Sequence, residues 1–224
     1  MRKQLLLTLC IFIVSCSGNT KFRLLTPEST GVDFENKITE TERLNAVNYE
    51  YIYNGAGVGI ADLNNDGLPD IILAGNQVSS KIYLNTGNFR FRAITGNFKG
   101  LSNDQWYNGV AITDLNADGF ADVYLTSTAA NDPEKCRNRL WVSSGCEKGE
   151  VPVFTEMAEK YGIADKNHSI AAEFFDYDND GDLDLYVMNN TLNRRMDAFY
   201  KPKTTDGSAA NNDRLYRNNG NGTF

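Results

Sequence analysis

Apolar residues in this chain fall in short runs of period two, not at helical spacing. Val58 and Ile60 alternate with small residues, and Ile71, Ile72 and Leu73 form a continuous run. Ile82 and Leu84 alternate with Lys81 and Tyr83, and Phe89 and Phe91 alternate with Arg90 and Arg92. Alternation marks a strand with one buried face, and a short continuous run fits a strand buried on both. An acidic loop separates the first two runs, and the turn 85–88 (Asn-Thr-Gly-Asn) separates the last two. The order strand, acidic loop, strand, loop, strand, tight turn, strand describes an antiparallel meander.

The pattern recurs. Residues 57–73, 109–125 and 171–187 align, and the first Asp of each acidic loop falls at 62, 114 and 176. Steps of this size suit propeller blades. The second repeat supplies its third strand at 139–142 and its fourth at 153–155, followed by a short helical or irregular segment at 157–162. The third repeat reaches its third strand at 214–217 and a turn at 218–222, and the sequence stops at Phe224. The expected fold is all-β: a partial β-propeller of about three four-stranded antiparallel blades, with a cation-binding loop between strands one and two of each. Propellers use about four to eight blades, so continuation beyond residue 224 is expected, or else assembly with other chains.

The shared loop reads D-x-[ND]-x-D-G-x-x-D. Carboxylates at alternate positions converge when the chain folds around a point, and like charges that close repel without a cation. Hard oxygen donors select a hard cation, and six to eight of them suit calcium better than magnesium. The glycine at position six permits a turn with positive φ. An EF-hand loop opens similarly but needs Glu at position twelve between flanking helices. Position twelve is Leu73, Leu125 and Val187, each within a β-type run. Plain Asp-Gly turns without metal are the alternative.

These loops and their flanking strands resemble FG-GAP and VCBS repeats, the blade type of integrin-α propellers. The segment 30–54 leading into the first repeat resembles that of VCBS-repeat lipoproteins related to cartilage acidic protein. The resemblance implies that side chains at positions one, three, five and nine bind calcium together with the carbonyl of position seven. The first site is then Asp62, Asn64, Asp66, the Leu68 carbonyl and Asp70. The second is Asp114, Asn116, Asp118, the Phe120 carbonyl and Asp122, and the third is Asp176, Asp178, Asp180, the Asp182 carbonyl and Asp184. With a carboxylate in place of Asn at position three, the third loop is expected to bind tightest.

Arg2 and Lys3 precede an apolar stretch at 5–14 that is too short to span a bilayer, as in a targeting segment. Its end, Ile13-Val14-Ser15-Cys16, resembles the lipobox of bacterial lipoproteins. That likeness implies cleavage before Cys16 and lipidation of its thiol. The implied organisation is a signal peptide at 1–15, an anchor and linker at 16–29, and propeller blades at 30–224. The implied location is a membrane surface, the outer membrane on its periplasmic or cell-surface side. Cys136 and Cys146 are an even pair in an oxidising compartment, so a disulfide across the short segment between them is expected, the alternative being two buried thiols. The net charge of −7 comes without a basic patch and argues against nucleic acid.

In such a meander the acidic loops and tight turns share one face, leaving the longer loops on the other. That second face is expected to carry ligand contacts, with Trp106, Tyr107, Arg194, Arg195 and Tyr200 as candidates. His168 is the only histidine, which excludes a His-based zinc site, and no phosphate loop is present. No enzyme chemistry is therefore expected within the chain. The reading is a calcium-stabilised surface binding or adhesion module for polysaccharide or protein. The alternative is the N-terminal part of a larger extracellular enzyme, a glycan lyase or hydrolase with catalytic residues past Phe224.

Overall fold

A computed structural model describes residues 21–94, 105–129, 133–190, 206–209 and 211–224. Its elements are α1 (Pro27–Thr30), β1 (Val58–Ala61), β2 (Asp70–Leu73), β3 (Lys81–Asn85), β4 (Phe91–Ile94), β5 (Trp106–Thr113), β6 (Asp122–Thr128), β7 (Arg139–Ser143), β8 (Phe154–Glu156), α2 (Ala158–Tyr161), β9 (His168–Phe175), β10 (Asp184–Asn190) and β11 (Arg214–Tyr216). They form three antiparallel sheets in meander order, β1-β2-β3-β4, β5-β6-β7-β8 and β9-β10-β11. The architecture is an all-β partial propeller.

Blade contact follows from period two. Along β6, Val123 and Leu125 point to the first blade, where they join Leu63, Ile72, Ile82, Tyr107 and Trp141 in one core cluster. Tyr124, between them, points to the third blade and joins Leu140, Leu185, Val187 and Ile163 in another. Every residue of β6 is buried, as a strand sandwiched between two blades requires. Burying each such large side chain contributes about 1.5–3 kcal/mol. On β1, Val58 and Ile60 are 58% and 67% exposed, while Gly59 faces the second blade. A Cβ on Gly59 would stand 2.5 Å from the Ile112 side chain. Glycine there lets the inner strands of two blades approach.

The segment ahead of β1 straps the first blade. Asp33 accepts hydrogen bonds from the Tyr83 hydroxyl at 2.7 Å and from Lys81 Nζ at 2.9 Å. Asn36 and Thr39 bond Asn76 and Gln77 in the β2–β3 loop. Tyr49 and Ile52 pack with Trp106 in a small third cluster.

Several expectations need correction. Phe89 lies not in a strand but in the turn, with φ of 56° and 72% exposure, because Thr86 and Arg90 close a wider loop and β4 begins at Phe91. Cys136 and Cys146 are not joined by a disulfide. They flank opposite ends of β7, whose residues rise about 3.3 Å each, far beyond the roughly 7 Å Cα limit for a disulfide. Cys136 Sγ instead lies 3.6 Å from His168 Nδ1, and Cys146 Sγ lies 3.7 Å from the Glu150 carbonyl. His168 itself opens β9 and pairs with Asn190. Trp106 and Tyr107 are buried, the first against Tyr49 and the second against Trp141, so neither is a surface contact. Arg194, Arg195, Tyr200 and Cys16 lie outside the described residues.

Candidate metal centre

Each acidic loop leaves the innermost strand of its blade and returns as the second. The three loops share one set of backbone hydrogen bonds to positions one and five. Oδ1 of the first Asp accepts the amide of position five: Asp62 from Asp66 at 3.1 Å, Asp114 from Asp118 at 3.1 Å and Asp176 from Asp180 at 3.2 Å. Its Oδ2 accepts the glycine amide of position six at 2.8, 2.8 and 3.1 Å. Oδ1 of position five accepts the amide of position seven, so Asp66, Asp118 and Asp180 each bind the backbone of Leu68, Phe120 or Asp182. The chain turns tightly because positions four and six are both left-handed. Asn65, Ala117 and Asn179 have φ of 55°, 56° and 63°, and Gly67, Gly119 and Gly181 have φ of 91°, 89° and 94°.

Ala117 is the strained member of the position-four set, since alanine lacks the local hydrogen bonding that lets Asn tolerate this conformation. Replacing Ala117→Asn is expected to stabilise the chain by about 0.5–1 kcal/mol in urea unfolding. No gain would mean that the second loop does not hold this geometry in solution.

Position nine is the buried keystone. Asp70, Asp122 and Asp184 are at most 1% exposed. Each Oδ2 accepts the amide of position two (Leu63, Leu115 or Tyr177) at 2.9, 3.0 and 3.0 Å. Each Oδ1 accepts an amide from the end of the third strand: Asn85 at 2.7 Å, Ser143 at 2.8 Å and Asn218 at 2.7 Å. One carboxylate thus fastens the loop to the far side of its own sheet. Burial pushes the Asp122 carboxyl up to about 6, with the charges of Asp118 and Asp114 adding to the rise and the two amides opposing it. Asp70 is raised for the same leading reason. Burial raises Asp178 as well, together with the charges of Asp180 and Asp184. A dication beside these groups opposes all three shifts.

The residues fit such an ion best in the third loop. One oxygen each from Asp176, Asp178 and Asp184 lies within 4.8 Å of the others. Asp178 supplies what Asn64 and Asn116 cannot, an anionic oxygen donor at position three. In the second loop Asn116 Nδ2 is turned onto Asp118 Oδ2 at 2.9 Å, so the amide satisfies an oxygen that a cation would otherwise take. Asn64 is 1% exposed.

The clamp from the third strand was missed in the sequence, though a signal for it exists. Asn85, Ser143 and Asn218 each stand two residues before a glycine. In each, the side-chain oxygen accepts that glycine's amide at 2.9, 3.1 and 3.0 Å. Asp165 was missed as well. Its side chain is 1% exposed, accepts from the Tyr216 hydroxyl at 3.0 Å and pairs with Arg214 Nε at 3.3 Å, tying the second blade's exit to the third. Burial, with Asp165 adjacent, pushes the Tyr216 phenol up to about 12.

The acidic loops and tight turns occupy one face, as expected. The Gly149 amide in the β7–β8 turn donates to the Asn64 carbonyl at 3.1 Å, and Asn65 Nδ2 donates to the Gly119 carbonyl of the next loop at 3.0 Å. Fold and site together define a bladed repeat protein with one acidic turn per blade.

Residues 62–125, from the first acidic loop through most of β6, match the FG-GAP-like repeat family. The chain is 25% identical over 167 residues to a T-cell immunomodulatory protein homolog of Plasmodium yoelii yoelii, a match covering 69% of this chain and 23% of that protein. It is 29% identical over 150 residues to integrin alpha-4 of Xenopus laevis, covering 60% of this chain and 14% of the integrin. The chain therefore spans under a quarter of the length of these relatives.

Proposed function

We propose that this chain is a calcium-stabilised binding module, displayed at a membrane surface through a lipidated Cys16, that engages an extracellular protein or polysaccharide. The observation carrying the reading is the threefold repetition of one hydrogen-bonded acidic turn, with carboxylates converging in the third. Such turns gather like charge that a dication neutralises. Rigid sheets then present the opposite face, where loops vary, to a partner. The FG-GAP-like repeat and the distant likeness to an integrin support binding over catalysis. Calcium's part is structural: it fixes the turns on one face so that the other keeps its shape. The boundaries 1–15, 16–29 and 30–224 belong to the same proposal.

The test is the immobilised chain probed against an extracellular-protein array and a glycan array, in millimolar calcium and again in chelator. A ligand retained in calcium and released in chelator is expected on one of the two. No calcium-dependent ligand on either array would overturn the reading.

A further inference from the structure

A cavity of about 340 Å³ opens where the innermost strands of the three blades begin, on the face away from the acidic loops. Its wall includes Tyr49, Tyr51, Asn54, Asn108, Thr128 and Asn190, and no residue lining it carries a charge. Asn108 precedes the second acidic loop by six residues of extended chain, so the two sites stand about 20 Å apart.

One buried hydroxyl of this wall lacks a protein partner. Thr128 is 1% exposed, and its Oγ1 has no hydrogen-bond partner among the described residues. A buried hydroxyl left unpaired costs free energy, so its retention calls for an explanation. The Asn54 and Asn108 carboxamides likewise bond no described residue. Asn108 stands at a bulge, where the β5–β6 register shifts between Tyr107 and Val110. Bulges re-aim side chains and recur beside functional sites. Tyr49 and Tyr51 meet edge to face, centroids 6.1 Å apart at 75°, and Tyr51 remains 39% exposed.

We infer that this cavity binds a neutral sugar ring, one pyranose residue of a polysaccharide. Carboxamides both donate and accept, as do vicinal hydroxyls, so Asn54 and Asn108 match a diol in either sense. The Thr128 hydroxyl gains its missing partner from a ring hydroxyl. A tyrosine ring supplies an apolar face for the C–H side of the pyranose. Phosphate, carboxylate and ammonium ligands are disfavoured, because none would find a counter-charge in the wall. The volume lies at the small end of ligand pockets, which suits one or two rings. This inference rests on the binding-module reading and deepens its polysaccharide arm.

Saturation-transfer NMR on the calcium-loaded chain tests it, with the methyl pyranosides of glucose, galactose, mannose and xylose as probes. At least one is expected to receive saturation, with affinity falling about tenfold in Asn108→Ala and in Thr128→Val. Thr128→Val keeps the side chain's size, and an unchanged melting curve in calcium identifies a folded variant. Three results would overturn the sugar site: no transfer to any probe, transfer unchanged in both variants, or displacement of the bound sugar by no added glycan. A chain that takes no sugar yet shows a calcium-dependent protein ligand refutes this pocket alone and leaves the binding-module reading standing.

Discussion

Asp122→Ala is expected to destabilise the chain by about 2–5 kcal/mol, lowering its melting temperature by about 5–15 °C. The carboxylate is 1% exposed and accepts two backbone amides, from Leu115 at 3.0 Å and Ser143 at 2.8 Å. Alanine leaves both N–H groups buried without acceptors. Asp122→Asn recovers little, since an amide turned to accept from one N–H points its own NH₂ at the other. The drop persists in chelator, because these hydrogen bonds do not require a cation, and that separates the residue's clamp role from any ligand role. Melting followed by circular dichroism checks it. A variant melting within a degree or two of the parent, with and without chelator, would mean that the second loop is not pinned to β7.

Calcium removal is expected to have the larger effect. At a free concentration about 100 times a site's dissociation constant, each site adds about 2.7 kcal/mol, so three filled sites approach the whole stability of a typical domain. Chelator should therefore lower the melting temperature by upwards of about 10 °C. The effect depends on pH with a definite sign. Without a cation, burial pushes the folded-state carboxyl of Asp122 up to about 6, above the ordinary aspartate value of 3.8. A raised folded value favours the fold below the unfolded value, and that contribution is lost as pH rises through about 6. In the chelated chain this contribution is gone in neutral solution, and calcium is expected to offset its loss above about pH 6. A melting temperature indifferent to chelator at pH 7.5 would contradict this.

Much of the fold was legible because the apolar alternation is strict. Val123, Tyr124 and Leu125 sort to opposite blades by parity alone, and the loop spacing located every blade. The position-one and position-five aspartates were legible as loop builders, since their partners lie within five residues. Position nine was read only as a ligand. Its second hydrogen bond reaches 15, 21 or 34 residues along the chain, a contact that no local pattern reveals. Trp106 and Tyr107 were misplaced for a related reason. The bulge extends β5 toward the end away from the acidic loops, so residues that read as loop are strand, Trp106 beneath the segment carrying Tyr49 and Tyr107 against Trp141. The cysteine pair failed on geometry: proximity in sequence counts for little when a strand holds the two ends apart.

Isothermal titration of the chelator-stripped chain with calcium chloride measures the central claim most directly. Three binding events per chain are expected. The tightest should disappear in Asp178→Ala, whose carboxylate joins Asp176 and Asp184 in the one converging cluster among the described residues. No heat of binding, or uptake left whole by that substitution, would contradict the account.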